Sequence, residues 1–110
     1  MESNFISGTI LWNRVARSRA VRRIIEKSIA RWAQVHAAWT GEGEPPRYRA
    51  FLQREGDGHM VHCQIEIISG SRVWIGSRIG QGIQQALRDC LAHMSAVSRS
   101  LALPDPQPLT

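Results

Sequence analysis

Strict alternation of apolar and polar residues over Val61-His62-Cys63-Gln64-Ile65-Glu66-Ile67 is the pattern that most restricts what this chain can fold into. Period-two alternation marks a strand buried on one face only. Such a strand needs cover on its apolar side, and two segments carry a matching stripe. Val21, Ile24, Ile25, Ile29, Trp32 and Val35 recur at three-and-four spacing, and so do Ile83, Ala86, Leu87, Cys90, Leu91, Met94 and Val97. Both series predict amphipathic helices. Ser18 is the expected N-cap of the first helix, and the glycines and prolines of residues 41–46 must lie in a loop beyond its end.

Two further strands are expected beside the alternating one. Residues 47–54 carry Tyr48, Phe51 and Leu52, and the glycines of residues 55–58 close that segment with a turn. Ser69-Gly70-Ser71 leads to Val73, Trp74 and Ile75, after which residues 76–82 read as a glycine-punctuated loop. The apolar residues 5–12 are either an extra strand or the start of the first helix. The expectation is an α+β domain of order α-β-β-β-α, with a three-stranded antiparallel sheet and two helices on one face. Residues 1–17 form an N-terminal extension, residues 18–98 the domain and residues 99–110 a flexible tail. A chain of 110 residues supports one core, and 43% hydrophobic with 21% charged residues is the composition of a folded body.

Charge is distributed unevenly. The net +5 comes from the first half: residues 1–54 hold ten Arg or Lys against four acids, and residues 55–110 hold four against five. Arg23, Lys27 and Arg31 recur at every fourth position and form one exposed stripe. Such an asymmetry favours a polyanion, either nucleic acid or an anionic membrane surface. The membrane reading would need the same apolar stripe that the sheet requires, and no run approaches the roughly 20 apolar residues of a membrane span. No phosphate-binding loop, nucleophile elbow or paired-carboxylate spacing is present, so neither an enzyme nor a small-molecule substrate is expected.

His59, His62, Cys63, Cys90 and His93 have zinc-ligand chemistry. Cys63 and Cys90 fall on apolar stripes, however, where free cysteine acts as a small hydrophobe, so no metal or cofactor is expected. Two cysteines make no disulfide framework, which points to a cytoplasmic protein. Trp74, flanked by Val73 and Ile75 turned toward the helices, is expected on the open sheet face. There it would serve as a protein interface, for a homodimer or another partner.

Local residues add a resemblance. Trp32-Ala33-Gln34, Pro46-Arg47-Tyr48, Gly56-Asp57-Gly58-His59 and Cys63-x-Ile65-x-Ile67, in that order, resemble the double-stranded RNA-binding domain. That family reads the shape of A-form RNA across two minor grooves and the phosphates between them. The resemblance implies that Lys27, Arg31 and Gln34 meet one minor groove and His59 the next, with Arg23 of the same stripe a further RNA contact. Arg78, Gln81 and Arg88, around the start of the second helix, would meet phosphate. Gln81-Gly82-Ile83 stands where the family has Ser-Lys-Lys, and members lacking those lysines serve as protein-docking or dimerising modules. The chain also resembles ribosome hibernation factors, which run strand, helix, three strands, helix and bind ribosomal RNA of the small subunit through basic helix residues. Residues 5–11 would be their extra strand; the acidic and basic motif of their last helix is missing here.

Overall fold

The computed structural model describes residues 6–36, 45–56 and 58–98. Its elements are β1 (Ser7–Asn13), α1 (Arg19–His36), β2 (Arg47–Arg54), β3 (Met60–Ser69), β4 (Arg72–Gln81), α2 (Ile83–Ala92) and β5 (Ser95–Ser98). The strands form one sheet in sequence order. β1 runs parallel to β2 and the other neighbours are antiparallel. A parallel pair needs a long crossover, which α1 supplies.

The α+β architecture with two helices on one sheet face is as expected, but the sheet has five strands instead of three. Residues 7–13 settle the open choice as a strand, giving the order of the second resemblance; Phe5 lies outside the described residues. So do Trp39, residues 41–44 of the expected loop, Asp57 and the tail from residue 99.

Register decides which side chains face the helices. Directly paired residues share a face, so Ile10, Ala50, Ile65 and Gly76 form one row across the sheet, and Tyr48, Ile67 and Trp74 belong to the same side. Tyr48, Leu52, Cys63, Ile65 and Ile67 are almost wholly buried there, against Ile25, Ile29 and Ala33 of α1 and Ala86, Leu87 and Cys90 of α2. No described helix lies on the opposite face. That face carries Leu11, Phe51 and Ile75 around the Arg49–Glu66 ion pair (2.7 Å).

This register overturns the expectation for Trp74. The ring lies on the helix side and is only 5% exposed. It packs edge-on to Trp32 at 5.3 Å between centroids, with the Arg72 guanidinium 4.5 Å from its ring. Buried under the helices, it is not the interface residue that its strand neighbours suggested. Val73, the neighbour that misled, is buried on the other face, its backbone paired with Ile68 of β3 and Val97 of β5.

Residues 76–82 are not a loop: β4 continues to Gln81. Its glycines serve close packing. A Cβ on Gly76 would lie 2.7 Å from the Cys90 carbonyl oxygen, and one on Gly80 would lie 2.7 Å from the Ala86 nitrogen. α2 therefore rests its backbone directly on β4, the close approach that an in-strand glycine permits. Gly82 then turns the chain into α2 at φ 91°, a left-handed conformation that glycine adopts without strain. α2 ends at Ala92, short of the expected Val97, because the chain turns at His93 and returns as β5.

Gly80→Ala is expected to destabilise the domain by about 1–3 kcal/mol, because neither backbone can give way to the added methyl. Urea unfolding should show a lowered midpoint with an unchanged slope.

Candidate nucleic-acid interface

α1 presents its cations because its other face is spent on the core. Ile25, Ile29 and Ala33 are fully buried, which leaves Arg23, Lys27, Arg31 and Gln34 on the exposed flank. The three cations are four residues apart, about 6 Å of helix rise each. With Gln34 they line a shallow groove of about 330 Å³ that also touches Ile6, Glu26 and Ala30.

Glu26, the acid in this row, is drawn away from the stripe. Its Oε2 accepts hydrogen bonds from the Tyr48 hydroxyl (2.7 Å) and the Arg22 Nη1 (3.4 Å). Among the described residues Arg23, Lys27 and Arg31 consequently have no carboxylate partner. Burial of Tyr48, reinforced by its hydrogen bond to Glu26, pushes its phenol well above the ordinary range.

A second cationic region lies where both helices begin. Gly82 N–H donates to the His59 carbonyl (2.8 Å), fixing the β2–β3 loop against the start of α2. His59, Arg54, Val15 and Ile83 surround a small hollow there. Arg54 donates to the carbonyl oxygens of Arg14 (3.2 Å) and Gly58 (3.4 Å). No side chain caps α2, and neither helix has an acid in its first turn. α1 is capped as expected, with Val21 N–H donating to the Ser18 Oγ (3.2 Å). It opens on Arg19, Arg22 and Arg23, cations set against the positive end of the helix dipole.

The structure thus brings Arg23, Lys27, Arg31 and Gln34 together. It joins Arg88 to them across the cleft between the helices, which Arg31 also lines, and sets His59 at the start of α2. Gln81 ends β4 with its N–H held by the Gln85 side chain (3.1 Å). Arg78 donates to the Ser77 carbonyl (2.9 Å) on β4, three strands from β1, and does not join the α1 row. Arg14, Arg19 and Arg54 were not singled out from the sequence. Arg54 carried a usable signal: it keeps the parity of Tyr48, Ala50 and Leu52, so a cation there must emerge at the helix-side rim.

The zinc-type residues are dispersed. Cys63 and Cys90 are in the core, where the Cys90 hydrogen bond and burial push the Cys63 thiol up. His62 lies on the opposite face, 2.6 Å from the Ser77 hydroxyl. No group of three metal-ligating side chains occurs among the described residues. None of the described helices is long and apolar enough to cross a membrane.

The architecture defines a class: a one-sided mixed sheet whose two helices share the covered face. The crystal structure of the Thermus thermophilus Protein Y N-terminal domain has this fold, with TM-score 0.62 and 14% sequence identity over 76% of this chain and 84% of that one. No protein-family model matches the sequence, and no curated protein matches it.

Tyr48 is the only tyrosine, so alkaline titration followed by tyrosinate absorbance reads it alone. Its folded value lies above the unfolded value near 10. Its contribution to stability is therefore whole below about pH 10 and is lost as pH rises toward the folded value. Tyrosinate should appear only as the domain unfolds; ionisation near pH 10 in the folded state would contradict the burial of Tyr48 against Glu26. Separately, Arg19→Glu should raise stability by about 1 kcal/mol by turning an adverse dipole contact into a favourable one, seen as a higher Tm at low salt.

Proposed function

We propose that this protein is a non-catalytic, cytoplasmic module that binds structured RNA, and that its RNA is ribosomal, as for hibernation-type factors. The row Arg23, Lys27 and Arg31, without a carboxylate partner among the described residues and with Gln34 at its end, carries the reading. Cations left without carboxylates, and cations kept at a helix N-terminus where they cost stability, favour a polyanionic partner. The element order and the likeness to the Protein Y domain favour the ribosomal version over the general double-stranded RNA version. Lys27 and Arg31 would hold phosphate, Gln34 would reach sugar hydroxyls, and His59 and Arg88 would extend the contact toward α2.

The test is co-sedimentation with isolated small ribosomal subunits across a salt series, with anisotropy measurements on an RNA duplex of about 20 base pairs run in parallel. Salt-sensitive binding to the subunits is expected, and Lys27→Ala and Arg31→Ala should each flatten the log–log salt slope by about one unit. Duplex RNA binding without subunit binding would return the protein to the double-stranded RNA reading. Absence of both would sink the RNA-binding proposal.

A further inference from the structure

Beside the cationic row lies a second feature, the cleft between the two helices. α1 and α2 begin at the same end of the sheet and run side by side, leaving a hollow of about 490 Å³ between them, a size typical of ligand sites. Its floor and lip are apolar: Leu87 is buried, Leu91 half-buried, and Ile24 and Val35 stay 36% and 70% exposed. Arg31 stands on the α1 wall and Arg88 on the α2 wall, and no acid among the described residues lines the cleft.

The aromatic component is rigid. Trp32 donates its Nε1–H to the Leu91 carbonyl (3.1 Å) and abuts Trp74 edge-on, so its ring is fixed between the helices. His36 lies against it at 4.9 Å between centroids, 33° from parallel, which extends the π surface toward the open end. Ser28 and Gln84, one from each wall, supply a hydroxyl and an amide.

We infer that this cleft takes an unpaired base of the bound RNA, stacked on the Trp32–His36 surface, with its flanking phosphates held by Arg31 and Arg88. The inference rests on the RNA-binding reading and specifies its substrate as structured RNA with a bulged or flipped-out nucleotide. Three observations favour a nucleotide. Cations stand on both walls with no acid among the described residues, matching a base that carries phosphate on either side. A fixed aromatic platform suits a flat ring, since RNA proteins recognise unstacked bases by stacking. Arg31 belongs both to the cleft and to the cationic row, so one RNA backbone can follow the row and place a base inside.

The experiment compares two RNA duplexes of about 20 base pairs, identical except that one carries a single bulged 2-aminopurine. The bulged duplex should bind at least about tenfold more tightly, as expected for a stacked base, with quenching of the 2-aminopurine fluorescence. Val35→Glu, at an exposed position where folding is not at stake, should bring the affinity ratio to about one. Lys27→Ala should weaken both duplexes alike and leave the ratio unchanged. Salt-sensitive but equal affinity for the two duplexes would overturn the base site and leave the RNA-binding reading standing. Failure of both RNAs to bind would remove the two together. A Leu/Glu amphipathic helical peptide is tested alongside. Its binding to the wild type but not to Val35→Glu, with no preference for the bulge, would assign the cleft to a protein segment and overturn the inference.

Discussion

Everything on the helix side of the sheet depends on how closely α2 can approach β4. Gly76 and Gly80 present bare backbone where α2 lies, so Ala86 and Cys90 fit against the strand and the second helix occupies little depth. The single covered face then has room for α1 as well, seated by Ile25, Ile29 and Ala33 and tied by Glu26 to Tyr48. With side chains at positions 76 and 80, α2 would stand away from the sheet, and the Trp32 contacts to Leu91 and Trp74 could not both be made. The cleft and the cationic row are by-products of this packing, because they use the helix surface that the sheet does not need.

The electrostatics follow from the same seating. An acid in the middle of a basic helix ordinarily neutralises its neighbours at i,i+4. Glu26 does so for Arg22 alone, at 3.4 Å, and shares the same oxygen with the Tyr48 phenol, so that among the described residues Arg23, Lys27 and Arg31 are left outside the pairing. The helix surface thereby keeps a net positive row at no cost in unsatisfied buried polar groups. The cations near the helix starts oppose the dipole, and their presence there is better explained by attraction to a partner than by stability.

Much of the fold was legible in the sequence, because the alternation from Val61 to Ile67 and the spacing from Val21 to Val35 each report a single burial decision. β4 was read wrongly because two signals conflict there. Val73 and Ile75 are apolar, so they were assigned inward, yet the actual inward row is Trp74, Gly76, Arg78 and Gly80, of which only Trp74 looks like core. Glycines that admit a helix backbone are indistinguishable, residue by residue, from glycines that make a loop. β1 was ambiguous for a related reason: its partner β2 lies more than 30 residues away in sequence, and no local pattern records that pairing. The α1 row was legible because helical spacing alone places it. The association of Arg31 with Arg88 was not, since it depends on the angle between two helices.

The sequence departure at residues 81–83 has a different meaning once the chain is folded. A helix whose first residues are lysines carries its own phosphate ligands there; α2 has Gly82 as N-cap and opens on Ile83, with no cation before Arg88. The strand end beside it supplies what the helix lacks: Arg54 from β2, held by the Arg14 carbonyl, lines the hollow at the start of α2 with the His59 imidazole, whose loop is hydrogen-bonded to Gly82. Arg54 is held by two carbonyl oxygens, and carbonyls orient a guanidinium without neutralising it. Positive charge at the start of α2 is thus delivered across space by neighbouring elements, together with the uncapped N–H groups of the helix itself. The loss of a linear lysine motif therefore does not entail the loss of an electropositive helix start. Whether a polyanion can use it depends on distance from the α1 row, which sets how far along an RNA the two regions can reach.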